Sequence, residues 1–415
     1  KDNAICYLIK KLLIFKLLYV QISYKKIQLQ FVKIVSMQSN KCLVVSRTCP
    51  FIRSGSGTVI NQFLRFFSAS EMIFLSEKNN QITEVNSRVH YINSSPISLK
   101  RGKRFFRWQR WFLLPLLVNK IIALVKKEKC NSIMCVFPDE FHLIAATLAA
   151  KKLTIPIYPY FHNLYYENTQ GFSAIIAKLV QKKLFAQAPW VYLISDGLLN
   201  ELSPLYPKIN FRILTHATII DEIRINHDKL SKQKIQVTFL GNINNSNIDA
   251  MSFMLNTLEQ RTDVVINLIT QTSIHVLKKA RLLKNNTIIN NNCSDEEIIQ
   301  KLRISNLLIL PHGFTGALSD AEYRSVFPTK TIQYLLSGSP ILALLPHNCY
   351  LQDFLSKNQC AFCITNKTEQ EIFSVLSHVK NNSKEIERIT NNARKTVQIF
   401  SENKVLGKLK NQIFM

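Results

Sequence analysis

The stretch Phe327-Pro-Thr-Lys-Thr-Ile-Gln-Tyr-Leu-Leu-Ser-Gly-Ser-Pro-Ile-Leu342 restricts the fold of this chain more than any other segment. Pro328 suits the first turn of a helix, Gly338 its left-handed stop, and Pro340 bars continuation before the apolar run Ile341 to Leu345. Loop, short helix and buried strand in that order fit an open α/β sheet, where the helix aims its amino end at the strand tips and ligands sit beside it. The free N–H groups and the dipole favour a phosphate there, with Lys330 as a counter-charge.

The rest of the chain repeats the alternation. Short apolar runs at Cys42 to Ser46, Met72 to Leu75, Ile133 to Phe137, Ile155 to Phe161 and Val191 to Ser195 read as strands. Between them, Thr58 to Phe67, Leu116 to Lys127, Phe141 to Lys151 and Ala174 to Ala186 read as helices. A polar, charged stretch from Asp221 to Lys234 reads as a linker, and a second series of strands follows at Ile235 to Leu240, Val264 to Ile269, Thr287 to Ile289, Leu307 to Leu310, Ile341 to Leu345 and Ala361 to Ile364. With 415 residues and 47% hydrophobic content the chain can bury two cores. The expectation is α/β: two tandem Rossmann-like, doubly wound domains with a cleft between them, residues 37–232 and 233–400.

Residues 1–36 are apolar but broken by Lys10, Lys11, Lys16, Lys25, Lys26 and Lys33, so no lysine-free run reaches bilayer-spanning length. Translation is expected to start at Met37, with the preceding segment as upstream readthrough; a basic membrane-contacting extension is the alternative. Nine scattered cysteines fit reduced, cytosolic usage, and Cys360-Ala-Phe-Cys363 lies in an apolar run that reads as a buried strand.

A formal charge of +26 implies an anionic partner, a phosphate-rich lipid, a nucleotide or a nucleic acid, although part of it follows from a Lys, Asn and Ile-rich composition. The sharpest local clue is the basic and aromatic segment from Ser98 to Leu114, which carries Lys100, Arg101, Lys103, Arg104, Arg107 and Arg110 among Phe105, Phe106, Trp108, Trp111 and Phe112, with no acid. On a helix Phe105, Trp108 and Phe112 share one face and Lys103, Arg107 and Arg110 the other, which suits a membrane interface. Each basic residue near an anionic leaflet contributes roughly 1 kcal/mol, and Trp favours the headgroup zone. The alternatives are an ordinary amphipathic helix packed on the sheet or a single-stranded nucleic-acid surface. Nothing else in the chain resembles a nucleic-acid module, so none is expected as a partner.

The opening segment resembles the donor-binding motif of GT-B glycosyltransferases, in the Pro-x-Lys-x-x-Glu-Tyr-Leu-x-x-Gly-x-Pro form of GT4-like enzymes, with Gln333 where the family has Glu. The likeness continues in order along the chain. Gly55 and Gly57 stand in what looks like the family's cleft-facing glycine loop, and Phe161-His162-Asn163-Leu164 is similar to its His-Asp-Leu corner. Ser195-Asp-Gly-Leu resembles a helix entry in which Ser195 is a cap, and Phe239-Leu-Gly-Asn, with Gly241 and Asn242, resembles its sugar-nucleotide turn. The Arg and Lys that many members carry after that glycine are missing.

The resemblance implies a hexosyltransferase-type enzyme that moves a sugar from a nucleotide-sugar donor to a glycan or lipid-linked acceptor, with retention of configuration, in surface polysaccharide or lipopolysaccharide biosynthesis. It places His162 at the cleft as the catalytic-site candidate and Gly241, Asn242, Arg324, Pro328, Thr329, Lys330 and Gln333 around the donor. Gln333 would hold the ribose without the charge-assisted bond a Glu makes. No cofactor or metal is expected, because cations and helix starts stabilise the departing diphosphate in this fold. Residues 401–415 would pack back across the hinge. The expected location is the cytoplasm, peripheral at the inner face of the membrane, with the 103–112 patch on an anionic surface or acceptor. Alternatives are an epimerase of the same fold, which needs a carboxylate set in the cleft that the sequence does not display, and a non-catalytic basic scaffold that binds membrane or nucleic acid.

Overall fold

The computed structural model describes residues 40–52, 54–78, 84–93, 111–220, 234–314 and 318–414. The first half runs β1 (Cys42–Ser46), α1 (Gly55–Phe66), β2 (Met72–Glu77), β3 (Val89–Ile92), α2 (Leu114–Lys127), β4 (Ser132–Phe137), α3 (Glu140–Leu153), β5 (Ile157–Phe161), α4 (Phe172–Gln187), β6 (Val191–Leu193), α5 (Asp196–Leu202) and β7 (Phe211–Ile213). The second runs β8 (Ile235–Leu240), α6 (Ile248–Glu259), β9 (Val264–Ile269), α7 (Ile274–Lys279), β10 (Thr287–Asn290), α8 (Asp295–Arg303), β11 (Leu307–Pro311), α9 (Asp320–Ser325), α10 (Lys330–Ser337), β12 (Ile341–Leu344), α11 (Tyr350–Lys357) and β13 (Phe362–Ile364). Three helices close the chain, α12 (Glu369–Asn381), α13 (Ser383–Val397) and α14 (Glu402–Phe414).

The strands form a seven-stranded sheet of order β3-β2-β1-β4-β5-β6-β7 and a six-stranded sheet of order β10-β9-β8-β11-β12-β13. Every pairing in both is parallel. Central strands such as Cys42-Leu-Val-Val-Ser46 are therefore covered on both faces and read as unbroken apolar runs. In each sheet the order reverses direction beside a central strand, at β1/β4 and at β8/β11, and the loops beyond those strand tips are where a doubly wound sheet takes its ligands.

The structure adds two strands that the pattern did not reveal, β3 and β7. Both are short, sit at opposite edges of the first sheet and have only one neighbour, so His90, Tyr91 and Arg212 interrupt the apolar signal. The linker expected at Asp221 to Lys234 falls almost wholly on residues 221–233, outside the described ones, as does the start expected at Met37. Cys363 lies in β13, and Cys360 just ahead of it is fully buried; the eight described cysteines are all free thiols.

The last helix lies on the first half. Val405, Leu406 and Leu409 of α14 belong to the core beneath the seven-stranded sheet, Phe414 packs on Phe67 at 5.7 Å between ring centroids, and Tyr192 donates to Gln412 Oε1 at 2.9 Å. A further link precedes it, where Thr218 of the first half pairs with Ser401 as an isolated parallel bridge.

Candidate functional site

A cleft of about 1920 Å³ separates the two sheets. Loops after β1, β4, β5 and β7 form one wall, and loops after β8, β9, β10 and β11 the other, together with the start of α10. This is the convergence of carboxyl strand ends expected of facing doubly wound sheets.

The first turn of α10 begins at Pro328. Thr331 N–H bonds Pro328 C=O at 2.9 Å, Ile332 N–H bonds Thr329 C=O at 3.3 Å, and Thr329 already has helical φ and ψ of −53° and −37°. The amides before these have no helical carbonyl behind them, and no acidic residue occupies the first turn, so this end is free to meet an anion. At the other end Gly338, with φ 72°, makes the left-handed stop that its sequence position suggested.

Lys330 reaches from this turn across the second sheet. Its Nζ lies 4.1 Å from the centroid of the Phe239 ring, and a Cβ on Gly241 would stand 3.7 Å from both its Nζ and Cδ. Gly241 itself has φ 119°, a conformation that side-chain-bearing residues rarely adopt, so the turn after β8 needs glycine to run alongside the lysine. Burial pushes the Lys330 ammonium down to about 7, and among the described residues no carboxylate pairs with it. A desolvated cation with no counter-charge, in a cleft wall, is set up to gain from an incoming anion.

The frame around it is braced. Tyr334, on α10, accepts from Leu240 N–H at 2.8 Å and donates to Ile309 C=O at 3.1 Å, pinning the end of β8. The Asn-rich loop beyond closes on itself, since Asn247 accepts from Asn244 N–H at 3.0 Å and donates to Asn242 C=O at 3.1 Å. Gln333 lies one turn from Lys330 and is exposed on the cleft wall with Pro328, Thr329 and Asn242.

From the facing wall comes a second helix start. Ser54 caps α1 by accepting from Gly57 N–H at 3.1 Å, and a Cβ on Gly57 would lie 2.0 Å from Ile52 C=O, so that loop closes only around glycine. Gly55 comes so near the other half that a Cβ on it would stand 3.1 Å from Thr329 Oγ1. The amino ends of α1 and α10 thus meet across the cleft, and their partial positive charges add where they face.

His162 and His216 lie behind this meeting point. His162 is 8% exposed and is not one of the residues that line the cleft; its Nδ1 is 3.1 Å from Ser56 Oγ, its ring stacks edge-on to Tyr160 at 4.4 Å, and its Nε2 is buried with no partner among the described residues. Burial, then the neighbouring His216, holds its imidazole well below the usual range. Of these two it is His216 that lines the cleft, as His312 does on the other wall; its Nε2 is 3.3 Å from Thr329 Oγ1 and burial pushes its imidazole down to about 4. Both histidines follow strands of the first sheet, and which of the two rings faces the cleft depends on how β5 and the segment after β7 bend, which no local motif encodes.

Arg324 takes a different place from the one the motif suggested. Its Nε and Nη2 each lie 2.9 Å from a Glu201 oxygen, so it ties α9 to α5, and it does not line the cleft. The acid at this seam carried no sequence signal. Glu322, 1% exposed, accepts from Asn163 Nδ2 at 2.6 Å and from Leu164 N–H at 2.9 Å, and its desolvated carboxyl titrates above the usual range. Ser195 caps α5 and also donates to Ser325 C=O at 3.2 Å. Of the expected membrane patch, Lys103, Arg104, Phe105, Arg107, Trp108 and Arg110 lie outside the described residues. Trp111 packs on Phe141 at 6.0 Å between ring centroids, while Phe112 is 84% exposed.

No protein-family model matches the chain, and no curated protein does. Solved structures match over nearly its whole length. Sucrose-phosphate synthase from Thermosynechococcus elongatus superposes with a TM-score of 0.66 at 12% identity, over 90% of this chain and 99% of that one. Anabaena Alr3699/HepE in complex with UDP-glucose gives 0.66 at 12% identity, again over 90% and 99%. A protein from Listeria monocytogenes described as a UDP-N-acetylglucosamine 2-epimerase gives 0.56 at 11%, over 91% and 97%. Two all-parallel sheets with facing carboxyl ends, and likenesses that span both halves at once, establish that this chain has the two-domain GT-B fold.

Proposed function

We propose that this chain is a glycosyltransferase that moves a sugar from a nucleotide-sugar donor to a glycan or lipid-linked acceptor, in surface polysaccharide assembly. The observation that carries the reading is Lys330: a half-buried, desolvated ammonium in the cleft wall with no carboxylate partner among the described residues, at the start of α10, opposite the start of α1. Transfer leaves a nucleoside diphosphate, and charge growing on its oxygens is stabilised most by fixed donors in a site that excludes water. Lys330, the first amides of α10 and the Thr329 hydroxyl are such donors. Gln333 would meet the ribose hydroxyls, accepting through its carbonyl and donating through its amide. The UDP and UDP-glucose bound in the Alr3699/HepE complexes support a donor of this class. Retention of configuration, a hexose as the sugar and peripheral placement at the inner membrane face, through the 103–112 segment, belong to the same proposal.

The test is a donor panel with product detection. Release of a nucleoside diphosphate that depends on added acceptor supports the reading, and sugar-nucleotide turnover that ignores every acceptor contradicts it.

A second reading has an observation of its own. Asp139, Glu140 and Glu322 all line the cleft, a carboxylate set that linear spacing did not display, and it is what an epimerase of this fold would need. Each is already engaged: Asp139 by His142 Nδ1 at 2.7 Å, Glu140 by the Tyr165 hydroxyl at 3.1 Å, Glu322 by Asn163. This favours positioning over proton transfer. Solvent deuterium entering the sugar ring without an acceptor would reverse the preference.

A further inference from the structure

We propose that the outer face of α4 is a docking surface for an anionic lipid bilayer. The helix, Phe-Ser-Ala-Ile-Ile-Ala-Lys-Leu-Val-Gln-Lys-Lys-Leu-Phe-Ala-Gln, is apolar on two opposite faces and has no acidic residue in sixteen. One face belongs to the core: Ala177, Leu184 and Phe185 are buried in the cluster beneath the seven-stranded sheet. Gln181, fully buried between them, donates to Glu167 at 2.9 Å and to the Tyr206 hydroxyl at 3.0 Å. The other face points to solvent, with Ile175 58%, Leu179 57% and Ile176 44% exposed. Ile175 and Leu179 are one turn apart and form a stripe. A helix apolar all round is normally buried, so this stripe calls for an occupant.

The charges around the stripe select lipid. Lys178, Lys182 and Lys183 are all exposed and flank it, one turn apart or adjacent. Interface cores between proteins are depleted in lysine, whereas a bilayer surface accommodates aliphatic residues at acyl depth with long lysine stems reaching back to phosphate headgroups. Each lysine adds attraction to an anionic leaflet, and the whole chain's +26 acts in the same direction. Nucleic acid would want aromatic platforms beside the cations, and the described exposed face of α4 has aliphatic side chains instead.

Position gives the surface a use, and here the inference rests on the lipid-linked acceptor proposed above. Asn168 and Thr169 line the cleft, and α4 starts at Phe172. A protein lying on α4 would hold one rim of its cleft beside the membrane, within reach of a lipid-borne acceptor. This surface is separate in sequence from the 103–112 segment, and its contribution can be removed alone.

The experiment is vesicle flotation of the full chain on phosphatidylcholine alone and on phosphatidylcholine mixed with phosphatidylglycerol. The variants are Ile175→Asp with Leu179→Asp, and Lys178→Glu with Lys182→Glu and Lys183→Glu. Flotation of the parent chain only on anionic vesicles, weakened by salt, and a loss of about tenfold or more in both variants would support the surface. Nucleoside diphosphate binding in solution should stay unchanged and circular dichroism melts nearly so, because the substituted side chains are exposed and only Lys178 gives up a contact, its Nζ lying 5.3 Å from the centroid of the Tyr166 ring. Variants that float like the parent would overturn the proposal, and so would a parent chain that is dimeric without lipid while the aspartate variant is monomeric. If no donor is ever turned over while anionic flotation still depends on α4, the enzymatic reading fails and the docking surface stands.

Discussion

His216 Nε2 and Thr329 Oγ1 stand 3.3 Å apart, joining the segment after β7 of one half to the first turn of α10 of the other. Burial depresses the imidazole from 6.5 to about 4, so the folded protein keeps it neutral where the unfolded chain takes up a proton. Its stabilising contribution is therefore complete above pH 6.5 and is lost as the pH falls from 6.5 to about 4. That interval corresponds to about 3 kcal/mol. His216→Gln should flatten the fall in thermal midpoint over this window, leaving the part that the other imidazoles depressed by burial, His162, His312 and His90, contribute. An unchanged slope would show that His216 protonates freely in the folded state.

Gly197 sits at a close contact between the halves. A Cβ there would lie 2.3 Å from Ser325 C=O and 2.8 Å from Tyr350, so α9 and α5 can dock only over a bare backbone. Gly197→Val should destabilise this seam by about 1–3 kcal/mol, as overpacking does, and lower the urea midpoint. It should also enlarge the radius of gyration measured by X-ray scattering, because the collision lies between the halves. A lower midpoint with an unchanged radius would place the strain within one half.

Glu322 gives a pH effect of opposite sign. Desolvation raises its carboxyl above 4.5, so the folded form holds a proton that the unfolded form has released, and stability falls as the pH rises through that raised value. Glu322→Gln should remove this slope and still accept one hydrogen bond. Glu322→Ala leaves Asn163 Nδ2 and Leu164 N–H without their acceptor and should cost about 1–3 kcal/mol. Melting curves on both variants between pH 4.5 and 7 check the sign, starting at the ordinary carboxyl value.

Gln333 offers a gain of function. On the proposed reading Gln333→Glu restores a charged acceptor for the donor ribose, and the difference between a neutral and a charge-assisted bond is about 1 kcal/mol. Affinity for the nucleotide sugar should rise roughly fivefold, with little change for a 2′,3′-dideoxy analogue. An equal gain for both would detach the effect from the ribose.

Much of this architecture was legible from the chain alone. Nearly every central strand is an unbroken apolar run, because a parallel sheet covered on both faces leaves no polar side to encode, and Pro328, Lys330 and Gly338 marked α10 by their backbone chemistry. Edge strands β3 and β7 escaped for the reverse reason. The seam between the halves was illegible, since Glu322 in Asp-Ala-Glu-Tyr-Arg-Ser looks like any surface helix until Asn163, 159 residues earlier, is brought against it. Arg324 misled for a related reason: its position beside the motif suggested an anion, and folding supplied Glu201 first.

The central claim is that Lys330 receives the diphosphate. Isothermal titration of the whole chain with uridine, guanosine and adenosine diphosphates, from pH 7 upward and in buffers of different ionisation enthalpy, tests it directly. The free ammonium titrates at about 7, and a bound anion would raise it. The account predicts that binding takes up a proton, that affinity falls as the pH climbs above 7, and that Lys330→Met binds about 10- to 100-fold more weakly with no proton uptake. Binding with the same affinity and the same proton count in Lys330→Met would contradict it.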